Sequence, residues 1–159
     1  MAFEIERKYL CHDFHLNQKS EFSIISETTI EQNYLLVGSS EMRIRKKSTT
    51  TEDSTYLTIK KGGGLIREET ELLLPQDLYD YLNRYDNKSP ILKNRVIFIF
   101  EGNEYSFDQY KGIDLQIIEI EFATEKEAME FIPPDWLGKD VTDDASYKNQ
   151  NLWLHLNSQ

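Results

Sequence analysis

The sequence predicts an α+β fold dominated by antiparallel strands. About eight stretches alternate polar and apolar residues at period two, most breaks between them are short and carry turn chemistry, and only three stretches show helical spacing. Short connections favour antiparallel neighbours, because parallel crossovers need longer ones. At 159 residues, with 39% apolar and 12% aromatic content, the chain is long enough to bury a core and reads as one domain, 1–159.

The strand candidates run 3–11, 28–37, 41–47, 55–61, 66–74, 91–100, 104–110 and 114–122. Gly38-Ser39-Ser40, the stretch 48–54, Gly62-Gly63-Gly64, Gly102-Asn103 and Lys111-Gly112 separate them and are turn formers. A first helix opens at Pro75-Gln76-Asp77 and carries Leu78, Tyr81, Leu82 and Tyr85, since proline suits a first turn. A second spans 125–132 and stops at Pro133-Pro134. A third spans 145–156, with Asp143-Asp144 placed to cap its start.

The net charge of −10 argues against nucleic-acid or anionic-membrane binding. No apolar run reaches the length of a membrane span, and the first residues lack a signal-peptide core. Cys11 is the single cysteine, so no internal disulfide or thiol zinc cluster forms, and the cytoplasm is the expected compartment.

The informative pattern is which residues share a strand face. The first segment places Glu4, Glu6 and Lys8 together, with Ile5 opposite. Later segments give Arg43 with Arg45, Thr58 with Lys60, then Arg67, Glu69 and Glu71. They continue with Lys93 and Arg95, Asp108 among aromatics, and Glu119 with Glu121. For any one strand a solvated face explains this alternation. Six strands that prefer ionisable groups at nearly every same-face step ask for more. If the strands close into a barrel, these groups line its lumen.

Arginine forks and lysines bind phosphate oxygens. Carboxylates repel phosphate, but hold Mg²⁺ or Mn²⁺, which bridges to it. Acids and bases on one wall therefore point to a divalent metal with a polyphosphate.

These residues resemble the CYTH family, the triphosphate tunnel metalloenzymes, whose opening Glu-x-Glu-x-Lys motif stands here as Glu4-Ile5-Glu6-Arg7-Lys8. The resemblance continues through Gln32-Asn33-Tyr34-Leu35, Arg43-Ile44-Arg45, Leu57-Thr58-Ile59-Lys60, Lys93-Asn94-Arg95 and Glu119-Ile120-Glu121. It ends at Trp136-Leu137-Gly138, Val141-Thr142 and Tyr147-Lys148-Asn149. Asn33 departs from it, standing where relatives commonly carry glycine.

The resemblance implies a closed eight-stranded antiparallel tunnel with peripheral helices, its C-terminal helix closing one end. Lys8, Arg43, Arg45, Lys60, Arg67, Lys93 and Arg95 would bind phosphate. Glu4, Glu6, Glu69, Asp108, Glu119 and Glu121, with Glu71 beside them, would hold or orient Mg²⁺ or Mn²⁺. Lys8 and Tyr34 are the candidates for activating water. The expected activity is hydrolysis of inorganic triphosphate or a close relative. The alternatives are a class IV-type adenylate cyclase, a nucleoside or thiamine triphosphatase, and a non-catalytic polyphosphate or nucleotide sensor. A small triphosphate is the expected partner, and a homodimer is left open.

Other residues tempt without a constellation to support them. His12, His15 and His155 lie outside the charged pattern. Gly62-Gly63-Gly64 lacks the Gly-Lys-Ser/Thr ending of a phosphate loop and reads as a hairpin turn. Trp136 and Trp153 read as packing anchors.

Overall fold

A computed structural model describes residues 2–16, 20–85 and 87–158. All eight segments form strands: β1 (Ala2–Leu10), β2 (Ser23–Leu36), β3 (Ser40–Ser48), β4 (Asp53–Gly63), β5 (Ile66–Leu73), β6 (Ile91–Phe100), β7 (Asn103–Tyr110) and β8 (Gln116–Glu121). Three helices accompany them: α1 (Gln76–Tyr85), α2 (Glu125–Glu130) and α3 (Asn149–Asn157). The strands close into a barrel in the order β1-β5-β4-β3-β2-β6-β7-β8, every pair antiparallel. Closure removes free sheet edges and leaves alternate residues with no choice but the lumen or the outer face.

Register then decides where the charges go. Lys8 pairs with Glu119 and Glu6 with Glu121 across β1 and β8, and Glu4 pairs with Arg67 across β1 and β5. Lys60 stands between Glu41 and Glu69, and Arg43 between Tyr34 and Thr58. Every one of these side chains lies on the same, inner face.

The apolar faces are covered from outside and at one end. Phe14, Phe22, Phe98, Tyr105 and Phe107 form an aromatic layer over one flank, with Trp136 packed into it at ring separations of 5.2–5.9 Å. Helix α1 covers the opposite flank through Tyr79, Ile44 and Leu74. At one end the inward residues turn apolar: Tyr34, Ile91, Tyr110 and Ile117 pack against Trp153 of α3. The C-terminal helix plugs that end, as the resemblance implied. It is fastened by Gln150 to both backbone groups of Gly38, by the Trp153 indole donating to Asn33 Oδ1 (2.8 Å), and by Asn157 to Ser89.

Most boundaries shift by a residue or two from the sequence reading, and several shifts have a local reason. Strand β2 begins at Ser23 because a bulge between Ile24 and Ser26 shifts the register and breaks the alternation there. Strand β8 begins at Gln116, since 111–115 is a turn closed by Tyr110 N–H donating to Leu115 O. Helix α2 ends at Glu130, where Phe131 is already extended. The third helical stretch is two pieces, a 3₁₀ turn (Ala145–Tyr147) capped by Asp144 and then α3, with Lys148 extended between them. The glycine run is mostly strand, and the turn falls at Gly64-Leu65, where Gly64 takes a φ of +72°.

Candidate functional site

The inner faces enclose a cavity of about 230 Å³, bounded toward the plug by Tyr34, Lys148 and Asn149. Strand β1 contributes Glu4, Glu6 and Lys8; β3 contributes Glu41, Arg43, Arg45 and Lys47. Lys60 comes from β4, and Arg67, Glu69 and Glu71 come from β5. Lys93 and Arg95 of β6 and Glu119 and Glu121 of β8 complete the wall. Nine bases face seven acids, so the cavity is net positive inside a chain of charge −10. That contrast separates a designed anion site from an ordinary solvated face.

The charges are sorted by position. In the ring of eight strands, β3 lies directly across the lumen from β8. The row Arg43, Arg45, Lys47 therefore faces the acids of β8 and its neighbour β1. On the acidic side, carboxylate oxygens of Glu4, Glu6 and Glu121 lie within 4.8 Å of one another. Burial, then the charges of Glu119 and Glu4, push the Glu6 carboxyl up to about 7. Burial, then Glu4 and Glu119, raises Glu121 as well. Glu6 and Glu121 have no ion-pair partner among the described residues, Glu4 shares the Lys60 ammonium, and oxygen donors crowded this way are the set that hard divalent cations take. The trio fits such an ion.

The remaining acids are spent on bases. Glu69 accepts from Lys60 Nζ (2.9 Å), and Glu4 also reaches that ammonium. Glu41 pairs with Arg67 (2.8 Å), and Glu71 serves Arg45 and, at 3.8 Å, Lys47. Glu119 bridges Lys8 (3.5 Å) and Arg95 (3.2 Å). Burial alone would raise its carboxyl, but those cations hold it well below the usual carboxylate range. Asp108 sits apart: it is fully buried, bound to Lys93 (2.6 Å) and Arg95 (2.7 Å), and it does not line the cavity.

On the basic side the bonding is incomplete. The buried Nε–H groups of Arg43, Arg45 and Arg67 have no acceptor among the described residues. A buried donor left unpaired costs roughly 1–3 kcal/mol, so three in one cavity fit an anion bound among them. Lys8 and Tyr34, expected to activate water, are both on the wall. Burial would lower the Lys8 ammonium, but Glu119 and Glu6 outweigh it and raise it above its ordinary value. Burial raises the Tyr34 phenol despite Arg43 beside it. Both shifts favour the protonated forms.

All seven expected phosphate-binding residues line the cavity, as do five of the six expected metal residues; Asp108 is the exception. The sequence reading missed Glu41, Lys47, Lys148 and Asn149. Glu41 and Lys47 continue the period-two series of Arg43 and Arg45, and that spacing would have found them. Lys148 reaches the cavity because the chain is extended there between two helical pieces, which no periodicity announces.

Comparison with known proteins gives one consistent result. The CYTH domain model matches residues 2–141. The inorganic triphosphatase of Nitrosomonas europaea is 30% identical, over 96% of this chain and 98% of that one. The inorganic triphosphatase of Acetivibrio thermocellus is 28% identical, over 96% and 94%. The crystal structure of the inorganic triphosphatase NE1496 superposes with a TM-score of 0.66 at 30% identity, covering 97% of this chain and 96% of that one. The PH1012 protein from Pyrococcus horikoshii OT3 superposes at 0.60 with 16% identity, over 96% and 98%, which is a likeness of fold alone.

Proposed function

The chain belongs to the CYTH domain family, and from that membership we propose that it hydrolyses inorganic triphosphate in its barrel lumen with the help of a divalent cation. The observation that carries this reading is a single cavity in which Arg43 and Arg45, with unmet buried donors, face a carboxylate trio, and Arg67, with another, stands beside it. The whole chain, 1–159, is the functional unit, because α3 lies beyond the matched residues and yet closes the cavity.

In this reading Arg43, Arg45 and Arg67 take phosphate oxygens on their free Nε–H groups. Lys8, Lys60, Lys93 and Arg95, already held by carboxylates, present their remaining donors to the same ion. Glu4, Glu6 and Glu121 hold Mg²⁺ or Mn²⁺, with Glu69 and Glu119 orienting the cations next to them. The metal ion neutralises phosphate oxygens that the carboxylates alone would repel. Water forms a new P–O bond at a terminal phosphorus as the bridging P–O bond breaks, releasing orthophosphate, pyrophosphate and a proton. Phosphoryl transfer depends mainly on positioning and charge neutralisation, and the wall supplies both. Protonated Lys8 and Tyr34 donate to the phosphate.

The wall also argues for a substrate without an organic group. Among the described residues Tyr34 is the one aromatic lining the cavity, and it is buried and tilted against Trp153 at 5.7 Å, so it presents little ring surface to a base. The test is phosphate release from inorganic triphosphate, ATP and thiamine triphosphate, each with Mg²⁺, Mn²⁺ or chelator. Metal-dependent cleavage of inorganic triphosphate ahead of the others is expected. Cyclic AMP from ATP, or binding without turnover on every substrate, would overturn it.

A further inference from the structure

We propose that Asp108 is a positioning residue, which presents Lys93 and Arg95 to the substrate, and not a ligand of the metal. This rests on the triphosphate reading of the cavity. The buried carboxylate has both oxygens committed: Oδ1 accepts from Arg95 Nε (2.7 Å), and Oδ2 accepts from Arg95 Nη2 (2.7 Å) and Lys93 Nζ (2.6 Å). Three charge-assisted bonds take three of the roughly four lone-pair sites of the carboxylate and leave Oδ2 with none for a metal. Two cations at that range also repel a third. Asp108 stands outside the carboxylate trio: it is on the inner face of β7, but it is fully buried against Lys93 and Arg95 and does not line the cavity.

Its position explains what it does. Lys93 and Arg95 are two residues apart on β6 and point to the same face, and β7 sets Asp108 directly opposite Arg95. Two adjacent buried cations would repel and drift apart without an anion between them. The bidentate fork fixes the guanidinium plane. It also aims Nη2 onward to Glu119 Oε2 (3.2 Å), whose other oxygen lies 3.5 Å from Lys8 Nζ. A chain of charges Asp108–Arg95–Glu119–Lys8 thus runs from the barrel wall into the lumen, anchored at its buried end.

Two variants test this, each measured for triphosphate binding by calorimetry in chelator and for Mn²⁺ binding without triphosphate. Asp108→Asn loses the carboxylate. Arg95→Lys keeps the charge and loses the fork, and serves if Asp108→Asn fails to fold. Both are expected to bind triphosphate on the order of tenfold to a hundredfold more weakly, the worth of charge-assisted bonds, with Mn²⁺ affinity unchanged. In turnover the loss should fall on KM more than on kcat, whereas a merely structural role lowers the folded fraction and leaves KM alone. Weaker Mn²⁺ binding by Asp108→Asn, with triphosphate binding intact, would make Asp108 a ligand and overturn the proposal. Variants equal to wild type on both readouts would overturn it too. Wild-type protein that binds no triphosphate would instead remove the premise, the hydrolase reading itself.

Discussion

At the scale of single residues, the site works by leaving some charges unpaired and pairing others. Arg43 lines the cavity with no carboxylate partner among the described residues, its Nε–H unmet and Tyr34 beside it. Arg43→Ala should weaken triphosphate binding by about 1.5–3 kcal/mol, the worth of a hydrogen bond to a charged group. Calorimetry in chelator measures it, and an unchanged affinity would take β3 out of the site. Lys47 adds a pH dependence. Burial, then the neighbouring Arg45, lowers its ammonium to about 8; Arg43 and Arg95 push the same way, Glu71 opposes, and the ring of Tyr56 lies 4.6 Å away. A bound anion favours the charged form. Lys47 therefore contributes fully to binding below about 8, and its contribution fades as pH rises through that value. Binding near pH 8 should take up a proton, seen as a buffer-dependent heat. Burial lowers Lys93 to about 8 as well, so Lys47→Gln should reduce that proton uptake and flatten the decline in part, and a variant with the wild-type profile would contradict the assignment.

At the scale of elements, the barrel depends on one segment that is not a strand. Strand β1 pairs with β5 only over Ala2–Ile5, and residues 138–141 cover its edge further on. Leu10 N–H donates to Lys139 O, Gly138 N–H to Leu10 O and Val141 N–H to Lys8 O. A side chain at Gly138 would put its Cβ 2.3 Å from Leu10 O, a backbone atom that cannot move aside. Gly138→Ala should cost about 2 kcal/mol or more, read from the denaturant midpoint. At Gly63 the Cβ would meet the tip of Lys148, 2.7 Å away, so Gly63→Ala should keep stability and disturb the cavity. Stability lost equally in both would sink this contrast. The same elements show what was legible beforehand. The strands and their inward charges could be read because period two is written into the residues themselves. Role was harder: Asp108 has the type and face of a metal ligand, and only the register opposite Arg95 makes it a partner of cations. Glu4, Glu6 and Glu121 come together because the last strand, β8, pairs with the first, β1, a closure no local pattern encodes. The strap at 138–141 and the break at Lys148 are tertiary facts of the same kind.

At the scale of the whole molecule, the barrel concentrates its positive charge. Half of the chain's 18 basic residues line one cavity, while 21 of its 28 acids lie elsewhere. Two features of the lumen invite partners of opposite sign: a carboxylate trio with only the Lys60 ammonium against it, and buried guanidinium donors on Arg43, Arg45 and Arg67. Each partner should stabilise the fold by occupying its own half. A ligand at a hundred times its Kd adds about 2.7 kcal/mol, which raises the Tm of a domain this size by roughly 5–10 °C. Mn²⁺ alone and triphosphate in chelator should each raise the Tm. Together they should exceed the sum, because a metal ion bridging to phosphate makes each bind more tightly in the other's presence, and that coupling is reciprocal. The variants divide the effect: Arg43→Ala should lose most of the shift from triphosphate and keep that from Mn²⁺, and Glu121→Gln should do the reverse. Strictly additive shifts would mean that metal and phosphate occupy the lumen without touching. A triphosphate shift that survives Arg43→Ala, Arg45→Ala and Arg67→Ala together would mean the anion sits somewhere other than the three arginines with unmet Nε–H groups.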